Sequence, residues 1–218
     1  EPEKTFEEVL DEHPVSIQVN GQWQTFPNAK AAEEASYEEY KANLRRNAKN
    51  FRITDEHLGE GGPKAKFQAN VNAIRLLKEL EAAGQQASPE QQEVLSRYVG
   101  WGGLSDAFDP EKPAWALEYA QLKELLTPEE YAAARSSTLN AHYTSPTVIQ
   151  AIYEAVDRMG FETGNILEPS MGVGNFFGML PEKMRNSRLY GVELDPVSGR
   201  IAKQLYPKAD ITVGGFET

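Results

Sequence analysis

The residues of this chain best suited to chemistry lie in two stretches, NILEPSMGVGNFF from Asn165 to Phe177 and LYGVELDP from Leu189 to Pro196. Glu168 closes an apolar run and offers a carboxylate, and Pro169 and Ser170 lead into a turn where Gly172 and Gly174 let a ligand approach the backbone. About twenty residues beyond those glycines, Glu193 and Asp195 end a second apolar run, at the spacing of an acid that takes ribose hydroxyls. Two strand ends bearing acids, with a glycine turn between them, describe a crevice for adenosine and its sugar.

The kind of adenosine ligand follows by elimination. Counting G-x-G-x-x-G from Gly172 and Gly174 puts Phe177 at the third glycine, with Gly178 one place late, so the dinucleotide fingerprint is not met. No Gly-Lys-Ser/Thr follows the glycines, so there is no P-loop. Glu168 immediately before the turn would repel a pyrophosphate but suits a positively charged amino-acid moiety. S-adenosyl-L-methionine has that moiety and no phosphate. Glu168 has a competing role as a cap of the following helix, and Asp195, directly before Pro196, reads as the start of the next helix.

These residues need a sheet to hold them. Strands near Ile166-Leu167, over Leu189 to Val192 and around Ile211 to Val213 alternate with helices after Asn175 and from Pro196 to Leu205, the pattern of an α/β, doubly wound parallel sheet. A helix over Pro146 to Met159, capped by Thr144 or Ser145, carries Val148, Ile149, Ile152, Tyr153 and Val156 at helical spacing. Upstream, the pattern from Tyr37 to Arg135 is mostly helical. Phe67, Val71, Ile74, Leu77 and Leu80 fall on one face, Gly84 marks a stop, and Ser88 to Gln91 and Thr127 to Glu130 are capping boxes with proline in the first turn. Between them Gly100, Gly102 and Gly103 surround Trp101, which reads first as the anchor of a turn and second as a substrate-stacking residue. Alternation on either side of Asn20-Gly21 predicts a β-hairpin over Pro14 to Pro27. Three regions result: 1–36 with the hairpin, 37–138 mainly helical, and 139–218 with the sheet.

Composition narrows the classes further. The chain has 218 residues and a net charge of -11, which argues against this segment being the main nucleic-acid clamp. Its densest basic group, Arg45, Arg46, Lys49 and Arg52, follows four glutamates and reads as a solvated helix face. Without cysteine, and with His13, His57 and His142 scattered, no metal site is expected. No run of about 18 apolar residues suggests a membrane span, and a cytoplasmic setting is expected. The first residue is Glu1, so the chain reads as an excerpt.

LEPSMGVGNFF resembles motif I of the amino-group DNA methyltransferases, GVELDP resembles motif II, and AHYTSP, Ala141 to Pro146, resembles motif X placed before motif I, the order of the gamma class that methylates adenine N6. ITVGGFE, Ile211 to Glu217, sits where motif III belongs. From about Asn50 onward the chain is similar to the segment around the methylase module of very large helicase-methylase proteins from conjugative and phage-like elements. The resemblance implies a partial Rossmann-like S-adenosylmethionine-dependent methyltransferase sheet, preceded by a mainly helical region. It implies that Thr144 helps hold the methionine part of the cofactor, with Glu168 and the Gly172 to Gly174 backbone facing its amino-acid and sulfonium region. Glu193 would take the ribose hydroxyls, Leu194 would flank the adenine, and Phe216 would lie against its ring, while Tyr143 and Phe176 would be core or cofactor-wall residues. The family often has Asp before that aromatic; here the position is Gly215.

The family positions the acceptor amine with an Asn/Asp/Ser-Pro-Pro-aromatic motif, and no Pro-Pro occurs in these 218 residues. The expectation is a cofactor-binding fragment of an adenine-N6 DNA methyltransferase that is inactive alone, with no catalytic residue assigned. His142 is not needed as a base, because methyl transfer to an exocyclic amine requires no strong one. DNA contacts and a helicase region would lie elsewhere in the parent chain. The alternative is a non-catalytic scaffold or interaction module of a large helicase-like protein.

Overall fold

The computed structural model describes residues 13–55, 57–141 and 143–217, with residues 40–47 described by their backbone alone; His142 lies outside the described residues. The chain divides after Ala48 into two compact units. In the first, β1 (Val15–Val19) pairs antiparallel with β2 (Gln22–Phe26). The connecting Asn20 and Gly21 take φ values of 51° and 75°, the left-handed pair of a type I′ turn. Helix α1 (Ala29–Asn47) starts well before Tyr37, because Asn28 Oδ1 accepts the Ala31 amide at 2.9 Å and caps it.

The basic group is not one helix face. Arg45 and Arg46 lie on α1, their side chains outside the described residues, whereas Lys49 and Arg52 follow the end of that helix. Arg52 donates from Nη1 to the Leu180 carbonyl, and the flanking Phe51 and Ile53 amides donate to Leu205 and Gly178 carbonyls at 2.8 and 3.0 Å. This segment belongs to the second unit and is tied into it by these bonds.

The first helix of that unit is α2 (Pro63–Ala82), which buries Phe67, Val71, Ile74, Leu77 and Leu80 along one face. It stops where the Gly84 and Gln85 amides return to the Glu81 and Leu80 carbonyls. Both capping boxes form: Ser88 and Gln91 start α3 (Pro89–Ser96), and Thr127 and Glu130 start α5 (Pro128–Ser137), with α4 (Ala116–Leu125) between. In α6 (Pro146–Arg158), Ile149 and Tyr153 are buried while Val148 and Ile152, expected on the same stripe, are exposed.

The sheet is parallel, in the order β3 (Asn165–Glu168), β4 (Arg188–Glu193), β5 (Asp210–Val213). Glu168 pairs with Gly191 and Glu193 with Val213, so the two acids end neighbouring strands. Between the strands run α7 (Asn175–Gly178) and α8 (Pro196–Leu205). α7 is a single turn; Pro181 disfavours helical backbone at Leu180 and ends it early. The chain is thus α/β and helix-rich, with a small antiparallel hairpin and a three-stranded parallel sheet.

Helices and sheet share one hydrophobic core, in which Phe67, Ile74 and Trp101 join Ile149, Phe177 and Ile201. A buried ion cluster ties the layers as well. Glu130, 5% exposed, accepts Lys78 Nζ at 2.8 Å and the Arg200 guanidinium, joining α2, α5 and α8. Burial pushes the Glu130 carboxyl up, but Lys78, the Thr127 amide and Arg200 outweigh it and hold the group below its usual range. Among the described residues, no helix is long and apolar enough to cross a membrane.

Candidate functional site

The carboxyl ends of β3 and β4 open onto a cavity of about 480 Å³, inside the range of roughly 300–1,000 Å³ usual for small-molecule sites. One wall comes from the sheet: Glu168, then Ser170, Met171 and Gly172 of the glycine turn, and Glu193, Leu194 and Asp195 after β4. The facing wall comes from the helical layer: Tyr98 and Gly100 of the Gly-Trp-Gly-Gly turn, and Ala133, Ser136, Ser137 and Asn140 at the end of α5.

Tyr143 is the seam between them. A Cβ added at Gly100 would lie 2.6 Å from its ring, and one at Gly172 2.7 Å, so the ring fits only because both positions are glycine. Its hydroxyl meets Ser198 Oγ at 3.2 Å. Behind it, the fully buried Asn70 donates to the Gly100 carbonyl at 2.6 Å and accepts the Val99 amide at 2.8 Å, locking the turn. Trp101 is completely buried and packs edge-on against Phe67, Tyr98 and Phe108. It anchors the turn and has no face left for stacking a substrate.

The sheet wall carries the charge. Glu193 Oε2 accepts the Gly172 amide at 2.6 Å and Oε1 accepts the Asp195 amide at 2.8 Å, so this carboxylate also holds the glycine turn in place. Burial raises its pKa. Glu168 is pushed up to about 7, first by burial and then by the charge of Glu193. Asp195 starts α8 as expected, Oδ1 accepting the Ser198 amide at 2.7 Å, but its Oδ2 is buried without a hydrogen-bond partner and the residue also lines the cavity. Three carboxylates therefore face one partly desolvated space. Among the described lining residues none is Lys, Arg or His, so a cation is favoured there and a phosphate is not. The donor set fits S-adenosylmethionine, whose sulfonium and ammonium are positive.

Of the residues singled out in the sequence, Tyr143, Thr144, Glu168, Ser170, Gly172, Phe176, Glu193 and Leu194 line this cavity; Pro169, Gly174 and Phe216 do not. Gly174 caps α7 and packs on Tyr206, whose ring would lie 2.5 Å from a Cβ there. Phe216 is 62% exposed. Gly214 still donates its amide to the Glu193 carbonyl across the β4–β5 pair at 2.8 Å, and Phe216 lies past the end of the strand. The helical wall was not read from the sequence as part of the site. Three glycines around Trp101 announced a turn, but no local period says what a turn or a helix end will face.

No family model matches the chain, and no solved structure gives a significant match. Two curated proteins are similar to parts of it. "Defense against restriction protein B" of Escherichia phage P1 is 25% identical over 159 residues, which is 73% of this chain and 6% of that protein. "Type II methyltransferase M.CvrRI" of Paramecium bursaria Chlorella virus XZ-6E is 43% identical over 58 residues, 27% of this chain and 15% of that protein. The chain spans a small part of either relative, and the similarity links it loosely to methyltransferases.

Proposed function

We propose that the cavity binds S-adenosyl-L-methionine and that this segment is the cofactor-binding part of a Rossmann-like methyltransferase acting on the N6 amine of adenine in DNA. The observation that carries the reading is the charge of the cavity, three carboxylates with no described cation at the ends of two parallel strands. The cofactor supplies a methyl group on positively charged sulfur. Glu168, ionised, faces the ammonium and sulfonium region, with Thr144 beside it. The lone pairs of Glu193 not used by the Gly172 and Asp195 amides receive the ribose hydroxyls. Leu194, 73% exposed, offers apolar surface to the adenine. Tyr143 keeps the two walls at a fixed spacing.

The printed names of the two relatives, one a type II methyltransferase and the other a protein of defence against restriction, support a role in DNA modification. The groups that would hold the acceptor amine in this family are absent from the 218 residues, which contain no Pro-Pro, so the segment by itself transfers no methyl. DNA contacts and a helicase region in the same parent chain complete the proposal, in a cytoplasmic setting.

A calorimetric titration tests it. S-adenosylmethionine gives saturable heat, ATP and NAD give none, and Glu193→Ala weakens binding by about tenfold or more. Heat with ATP and none with S-adenosylmethionine would overturn the reading. No heat with any of them would leave the sheet as a scaffold.

A further inference from the structure

Two residues on opposite walls of the cavity keep buried polar atoms that no described residue satisfies. Tyr98, 1% exposed, has a hydroxyl without a hydrogen-bond partner, and Asp195 keeps Oδ2 unpaired after its Oδ1 has accepted the Ser198 amide. Tyr98 also borders a smaller neighbouring cavity of about 340 Å³, but its hydroxyl stands beside Ser198 and Asp195, which line the larger cavity and not the smaller. Ser198 Oγ is itself engaged by the Tyr143 hydroxyl at 3.2 Å. Burial, and then the charge of Asp195, raise the Tyr98 phenol well above its ordinary value, so it stays a donor. A donor from the helical wall and an acceptor from the sheet wall therefore face the same space. Burying either without a partner destabilises the fold, a loss that a ligand group bonded to both recovers. A hydroxyl answers both, its proton going to Asp195 Oδ2 and its oxygen accepting from Tyr98. An ammonium has no lone pair for the Tyr98 proton, and a carbonyl or bare ring nitrogen has no proton for Asp195.

We propose that Tyr98 and Asp195 form a subsite for one ribose hydroxyl of the adenosyl ligand, with Glu193 beside them taking the other. That the ligand is adenosyl rests on the function proposed above; the demand for a hydroxyl follows from the two unpaired atoms. Glu193 Oε1 is bonded to the Asp195 amide and feels the Asp195 charge, so the two carboxylates stand side by side, as a vicinal diol requires. Dividing the diol between two sets of groups makes the site reject a nucleoside lacking either hydroxyl, because the abandoned group is left buried and unpaired. The deoxyadenosine of DNA has no 2′-hydroxyl. It is therefore kept out of the cofactor site.

The test titrates the full chain with S-adenosylhomocysteine, its 2′-deoxy and 3′-deoxy analogues, and adenosine. Each deoxy analogue binds about tenfold more weakly than S-adenosylhomocysteine. Tyr98→Phe weakens S-adenosylhomocysteine about fivefold and Asp195→Asn about tenfold. The asparagine keeps the helix cap, because its oxygen takes the place of Oδ1, and turns a donor toward the hydroxyl. With one of the two deoxy analogues both variants lose nothing further, whereas with the other their losses persist. Tyr119→Phe, on α4 and outside the cavity, changes none of these affinities. In the ligand-free chain Tyr98→Phe leaves the melting temperature unchanged or raised, since it deletes an unpaired buried hydroxyl. No loss in Tyr98→Phe, or an equal loss with S-adenosylhomocysteine and both deoxy analogues, overturns the proposal. Adenosine separates this outcome from failure of the cofactor reading. If adenosine binds and weakens with Tyr98→Phe while S-adenosylhomocysteine does not bind, the sugar subsite stands and the cofactor reading falls; no binding by any of the four overturns both.

Discussion

The sheet wall of the larger cavity carries Glu168, Glu193 and Asp195, while the helical wall opposite presents Tyr98, Gly100, Ala133, Ser136, Ser137 and Asn140, with no charge among them. Under the proposed function the first wall would select the kind of ligand by charge and the second would set how much room it has. They are also held differently. Glu193, at the end of β4, fixes the glycine turn through the Gly172 amide, whereas the Gly100 turn depends on Asn70, brought from α2. Charge selection and shape are thus separable, and substitutions on the two walls should fail in different ways.

The largest effect falls on the support of the helical wall. Asn70→Leu leaves the Val99 amide and Gly100 carbonyl unpaired in the interior and costs about 2–4 kcal/mol of stability, read as a lowered denaturation midpoint. Gly172→Ala strikes the sheet wall through backbone strain at φ 56° and contact with the Tyr143 ring, and costs about 1–3 kcal/mol by the same measurement. Ser136→Leu fills space from an exposed helix position and separates the two properties: affinity for S-adenosylmethionine falls about tenfold while the melting temperature stays within roughly a degree. If Gly172→Ala left stability unchanged, the Tyr143 ring would not be packed tightly against the glycine turn.

The smallest effect is a pH dependence confined to the sheet wall. The Glu168 carboxyl is raised from 4.5 to about 7 in the folded protein. The stability this group contributes is fully present below its unfolded value and is lost as pH rises through about 7. Ligand binding runs the other way, because a cation prefers the ionised form. Affinity for S-adenosylmethionine rises several-fold, roughly, between pH 6 and 8. Glu168→Gln flattens both slopes; an unchanged binding slope in that variant would remove Glu168 from the cation site.

How much of this was legible in the sequence follows the same division. The glycine turn, the acids at the strand ends, the hairpin and both capping boxes are local patterns, and each fixes geometry over a few residues. Asn28 is a local cap too, but the alanines and glutamates after it show no apolar period until Tyr37 that would mark a helix. The helical wall, the second function of Asp195 and the exposure of Phe216 depend on packing between segments far apart in the chain.

The central claim is that both walls enclose one adenosyl ligand, and a crystal structure with S-adenosylhomocysteine tests it most directly. The ligand is expected between the walls, its amino group toward Glu168, its ribose at Glu193 and Ser136 or Asn140 within contact distance. A ligand held by the sheet wall alone, or seated outside this cavity, would contradict it.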